Sequence, residues 1–187
     1  MSVDPGPDDH RPRGLGFVCD VLNGPPTAAA WSAAATAHGG RELGGRDVVE
    51  DRLAAAVRTL RGIFATPDAE TAAGRLNAVL AAPPLPVALA RTDDGRWALR
   101  PAVPADADAA SSLLAIGAFA LAERLSDRGR CAWGVCAASD CDRVFVDEGR
   151  RRPQRFCTER CATRTRVAAH RARSAAPAPD AATPAGG

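Results

Sequence analysis

Four cysteines in two short-spaced pairs carry the clearest chemistry in this 187-residue chain. Cys136 and Cys141 enclose four residues, Cys157 and Cys161 enclose three, and fifteen residues separate the pairs. Two such pairs can wrap their thiolates around one tetrahedral ion, with Zn–S bonds of about 2.3 Å and no position left for water. The spacing therefore predicts a structural Zn2+ held by Cys136, Cys141, Cys157 and Cys161. A disulfide framework would need an oxidising compartment, and Met1 to Gly14 lack the basic start and apolar stretch of an export signal. Cys131 lies as far before Cys136 as Cys141 lies after it, so spacing alone also allows a Cys131/Cys136 pair. Asp140-Cys141 runs straight into a strand-like stretch, which favours Cys136/Cys141. His170 is a poor substitute ligand: nine residues beyond Cys161 on one helix it would sit about 180° around and about 13.5 Å along.

Between the pairs lies the strand-like run Arg143-Val144-Phe145-Val146, then a turn signal at Asp147-Glu148-Gly149 and a return through 150–156. This order predicts a zinc-ribbon-like finger: knuckle, hairpin, knuckle, then a helix to about Arg173. At Cys136, Cys141, Phe145, Asp147, Arg150 to Arg152, Phe156, Cys157, Cys161 and Arg164 the chain resembles the CGNR-type zinc fingers. It departs from them where Phe156 replaces a Trp and Ala162-Thr163 replaces Gly-Asn; neither change touches a ligand. The resemblance implies an N-terminal ABATE domain and a role in stress-related transcription regulation.

Charge is unevenly divided. All 24 basic residues are Arg, which in an Ala-, Gly- and Pro-rich chain reflects composition as much as function. Residues 130–173 hold 11 Arg against 5 acids, a net of +6, whereas the remainder holds 13 Arg against 17 acids, a net of −4. Helical geometry gathers Arg160, Arg164 and Arg171 on one flank of the last helix and Arg166 and Arg173 on another. It also puts Cys161, Thr165, Ala168 and Ala172 in a stripe of small residues expected to pack on the metal site. Together with Arg150, Arg151, Arg152 and Arg155, these arginines could neutralise several phosphates. DNA is the expected partner and transcriptional regulation the expected function, with the N-terminal domain sensing a signal or mediating assembly through a small-molecule effector or a protein partner. The competing reading is a zinc-stabilised adaptor that binds protein or RNA.

The elements that must position the finger precede it. Residues 15–129 read as a mostly helical α+β domain with one small hairpin, residues 130–173 as the finger, and residues 1–14 and 174–187 as disordered tails. An apolar run from Leu15 is broken by Asp20 and Asn23; these either turn the chain as satisfied polar groups or line a ligand pocket for a small-molecule effector. Thr27 to His38 forms an Ala-rich helix around Trp31, with His38 as a C-terminal charge partner. Asp47 caps a helix carrying Val49, Leu53, Val57, Leu60 and Phe64. Thr66-Pro67-Asp68 starts another carrying Ala72, Leu76, Val79 and Leu80. Strands at 86–91 and 96–100 flank the turn signal Thr92-Asp93-Asp94-Gly95. A helix from about Asp108, with Leu114, Ala118, Leu121 and Leu125 on one face, ends at the joint Asp127-Arg128-Gly129. No phosphate loop, H-E-x-x-H or nucleophile elbow is present, so no enzyme is expected. No stretch reads as a membrane span, and a cytoplasmic, reducing location is expected.

Overall fold

In the computed structural model, the structure describes residues 14–38, 40–81, 86–91, 95, 97–149 and 152–175. The chain is α+β: seven helices and two separate two-stranded antiparallel sheets among the described residues. The N-terminal part runs α1 (Leu15–Asn23), α2 (Ala28–Ala37), α3 (Arg41–Gly44), α4 (Glu50–Phe64) and α5 (Ala69–Ala81). The hairpin β1 (Val87–Arg91) and β2 (Trp97–Pro101) follows, and then the long α6 (Ala109–Arg128). The C-terminal part consists of β3 (Trp133–Val135), β4 (Val144–Val146) and α7 (Glu159–Ala175).

The core forms where α1, α4 and α5 close around α6. Leu53, Leu60, Ile63 and Phe64 of α4 meet Leu113, Ala118 and Leu121 of α6, all essentially without solvent. Gly117 sets how closely α4 and α6 approach: a Cβ there would lie 2.6 Å from Leu60 Cδ1. The buried face of α6 thus centres on Leu113, Gly117 and Leu121, while Leu114 and Leu125 are only half-buried. Against the sequence expectation, α6 does have the length and mean hydropathy of a membrane span. More than half of it is buried within the protein, and Arg124 lies inside, so it serves as the core helix.

Two helix starts differ from expectation. The N-cap of α4 is Val49, which is 44% exposed and gives no side-chain cap. Glu50 and Asp51 supply favourable charge to that first turn instead. Asp47 contributes its backbone carbonyl, which accepts from the Ala109 N–H at 2.9 Å and ties the start of α4 to that of α6. At α5 the cap is Asp68, whose carboxylate accepts from the Thr71 N–H at 2.7 Å. Thr66 turns backwards, its hydroxyl donating to the Gly62 carbonyl. Asp108 caps α6 as its sequence predicts, accepting from the Ser111 N–H at 2.8 Å. Gly129, at φ 61°, closes the helix in the left-handed conformation that costs glycine little.

The second sheet pairs differently from the predicted hairpin. β4 pairs with β3, upstream of the first knuckle, with Trp133 opposite Val146 and Val135 opposite Val144. The return at 152–155 is exposed and forms no strand; Pro153 lacks an N–H for a ladder, and the arginines favour water. Trp133 and Val144 belong to the same apolar cluster as the helices. Trp133 packs edge-on to Phe64 at 6.4 Å, and its indole N–H donates to the Ile63 carbonyl at 3.2 Å. The β3–β4 hairpin is therefore built into the helical core.

Candidate metal centre

The knuckles stand at the outer end of this hairpin. After β3 the chain turns through Cys136 to Cys141, where the Cys141 N–H donates to the Ala138 carbonyl at 3.1 Å. The Cys136 N–H donates to the Arg143 carbonyl at 2.9 Å, which closes the loop onto the start of β4. The second pair sits at the N-terminus of α7, where Thr158 Oγ1 accepts from the Cys161 N–H at 3.3 Å. The Ala137 N–H donates to the Arg155 carbonyl at 2.9 Å, joining the first knuckle to the return segment.

All four sulfurs lie within 4.8 Å of one another. Cys141 Sγ and Cys157 Sγ are 3.7 Å apart, as are Cys157 Sγ and Cys161 Sγ. A tetrahedron with metal–sulfur bonds of about 2.3 Å has edges of about 3.8 Å, so these distances fit one shared ion. Cys136 and Cys161 are buried and the other two half-buried, with Ala138 and Phe156 packed around them. Four protein donors complete the tetrahedron, which suits a structural site rather than one open to substrate.

The four thiols, this close together, influence one another's ionisation. Burial, followed by the sulfurs of Cys136, Cys141 and Cys161, pushes Cys157 up to about 12. Burial also opposes ionisation of Cys136, but N–H groups of Cys157 and Ala138, together with the thiols of Cys157 and Cys141, bring it down to about 7. A divalent cation among the four sulfurs would favour the thiolate form of each.

Arg164 closes the site from outside. Its guanidinium donates to Asp140 Oδ1 at 2.6 Å and to Cys161 Sγ at 3.6 Å, bridging the two knuckles. Although the resemblance carried Arg164 among the motif residues, its partner Asp140 was not legible in the spacing. Replacing Arg164 with Ala is expected to weaken metal affinity about 10–100-fold, in the range of lost outer-shell contacts. Competition with a chromophoric chelator would measure this, and unchanged affinity would refute the bridging role.

Asp147 and Arg124 anchor the loop after β4. Arg124, 2% exposed, donates to the Asp147 carbonyl at 2.6 Å and to Glu148 Oε2 at 3.1 Å. The Asp147 carboxylate accepts from Arg130 at 2.8 Å and from the Gly149 N–H at 2.7 Å. The sequence gives no signal of this, since Asp147-Glu148-Gly149 reads simply as a turn.

The remaining predicted residues fall into distinct places. Cys131 is half-buried against the helical core, outside the group of sulfurs. Asp20 faces His38, with Oδ2 2.9 Å from Nε2. Gly16 leaves room for that ring, since a Cβ would lie 2.7 Å from His38 Cε1. Asn23 uses both ends of its amide on β4: Nδ2 donates to the Val144 carbonyl at 3.0 Å, and Oδ1 accepts from the Val144 N–H at 2.9 Å. A groove of about 510 Å³ runs past Gly16, Cys19, Asp20, Asn23, His38 and Arg143. Burial and then Asp20 push the Cys19 thiol up to about 12, which makes it a poor nucleophile.

Arg152, Arg155, Arg160, Arg166, Arg171 and Arg173 are exposed, whereas Arg150 and Arg151 lie outside the described residues. Arg155 sits over the Phe156 ring at 5.9 Å, and Arg166 donates to Thr163 Oγ1 at 3.1 Å. Ala168 and Ala172 are exposed, contrary to the stripe expected to pack on the metal site; only Cys161 and Thr165 of that stripe face inward. From Arg166 to Ser174 every residue of α7 is exposed, and the helix continues to Ala175, two residues beyond its expected end.

Residues 133–174 match the family model described as the CGNR zinc finger. The match begins at the first residue of β3, so the family unit includes the strand that anchors the knuckles in the core. No curated protein matches the chain.

Proposed function

Taking residues 133–174 as a CGNR zinc finger, we propose that Cys136, Cys141, Cys157 and Cys161 hold one Zn2+ that fixes α7 for binding DNA, and that the protein regulates transcription. The ion's part is to clamp the two knuckles; the chain's arginines contact phosphate. One observation carries the reading: α7 is rooted in the cysteine cluster and projects away from the body with Arg160, Arg166, Arg171 and Arg173 exposed. Seventeen residues extend about 25 Å, enough to lie along a groove of duplex DNA. Arginine suits that task because its planar fork can grip phosphate or the guanine edge. In the same reading, residues 15–129 form an ABATE-like, non-catalytic body that senses a signal or mediates assembly, and the protein works in the reducing cytoplasm. The implied link to stress regulation belongs to this proposal.

The test is a salt series with duplex DNA, with RNA and with neither. Replacing Arg171 and Arg173 with Ala is expected to leave metal content unchanged and weaken DNA binding across sequences. If each contacts one phosphate, the slope of log affinity against log salt should flatten by about 2. Affinity and slope unchanged in that variant, or no salt-sensitive DNA binding by the native chain, would favour the protein- or RNA-binding adaptor.

A further inference from the structure

The β1–β2 hairpin is built the wrong way round for a sheet that serves only its own chain. An antiparallel sheet covering one core normally turns its large apolar side chains inward. Here Ala88 pairs with Arg100 and Ala90 with Ala98 on one face, while Leu89 pairs with Leu99 and Arg91 with Trp97 on the other. The alanine face meets α6 through β2: Ala90, Ala98 and Arg100 are half-buried, and Ala88 is exposed. Glu123 of α6, pushed up by burial first and then by Asp127, is drawn the opposite way by Arg100. The large side chains point outward, with Val87 47%, Leu89 64%, Trp97 63% and Leu99 54% exposed. A two-stranded ribbon is marginal in water without cover for its apolar face.

We propose that this outer face is a self-association surface, covered by the same hairpin of a second copy of the chain. Area supports that occupant. Side chains of this size, half to two-thirds exposed, leave roughly 450 Å² of apolar surface. A standard interface buries about 800 Å² per partner and is about 57% apolar, or roughly 450 Å². The patch is also compatible with itself. A two-fold axis crossing the strands at the Leu89/Leu99 pair lays Trp97 of each copy against the Val87/Pro101 end of the other. It places the two Arg91 side chains at opposite ends, roughly 14 Å apart along the strands, where they repel little. Arg91 lies over its own Trp97 ring at 5.5 Å, so its guanidinium forms part of the proposed surface. The proposal does not depend on DNA binding, and its test contains no nucleic acid.

Sedimentation of the full metal-loaded chain should give a species of twice 19.3 kDa in the micromolar range. Leu89→Asp is expected to raise the dimer dissociation constant about 100-fold, as loss of a central contact does. Leu99→Thr, which retains a strand-favouring residue, should weaken it in the same direction with an unchanged circular dichroism spectrum. Val49→Asp, at an exposed apolar site elsewhere, should leave association intact. A native chain that stays monomeric, a dimer that survives Leu89→Asp and Leu99→Thr, or equal loss in Val49→Asp would overturn the proposal.

Discussion

A Cys157→Ser protein should fail to retain metal and should lose α7 and both knuckles as ordered structure, while β3, β4 and the helices remain folded. Structural zinc contributes about 10–16 kcal/mol in isolated finger peptides, far more than the small apolar group around these sulfurs could replace. The boundary of the damage follows from the packing. Trp133 and Val144 are buried in the helical cluster, whereas Cys136, Ala138 and Cys161 form a separate group of their own. Hydrogen exchange should therefore quicken in Glu159–Ala175 and across Cys136 to Cys141, with protection retained at β3 and β4. Normal metal content in the purified variant would remove Cys157 from the ligand set. Collapse of the whole chain would show that the ion supports the body as well.

Trp133→Ala attacks the same module from its other side. Truncating a buried Trp costs about 3–5 kcal/mol, a large part of the 5–15 kcal/mol typical of a folded domain. Besides the cavity, the substitution removes the edge contact to Phe64 and the indole donor to the Ile63 carbonyl. Because those partners belong to α4, the urea midpoint of the helical body should fall together with that of the hairpin. A loss below about 1 kcal/mol, or two separated transitions with the body unaffected, would mean that the hairpin rests on the core without strengthening it.

How much was legible in the sequence differs between the metal centre and its support. Four donors at short spacings announce themselves because metal chemistry restricts both residue type and separation, and the structure brings those sulfurs together. Helices with apolar stripes were legible for the same kind of reason: Leu53 and Leu60 of α4, and Ala72 and Leu76 of α5, repeat at the helical period and are all buried. Caps were less so, since Asp47, Thr66 and Asp68 are equally suited to cap and only the path of the chain chooses among them. The pairing of β4 is not legible because Arg143 to Val146 has a nearby return in sequence, whereas its actual partner, Trp133 to Val135, lies across the first knuckle. Arg164 shows the limit of charge counting. A basic residue on a basic helix reads as a phosphate contact, yet Asp140, 24 positions earlier, engages it to close the knuckle. The outward face of β1 and β2 was likewise hidden: alternation signals a strand but does not say which face meets the chain's own core.

The amide of Asn23 meets Val144 across 121 positions of sequence, one of the longest loops the fold closes. On the ribosome, the first helix emerges long before the strand whose backbone it will engage has been made. Until then both backbone groups that Val144 will offer are missing, and the apolar side of α1 has only neighbouring helices to shelter it. Closing so wide a loop costs only slightly more entropy than closing a shorter one, but it comes late. The amino-terminal helix thus finds its full set of neighbours only when the carboxy-terminal module has been synthesised.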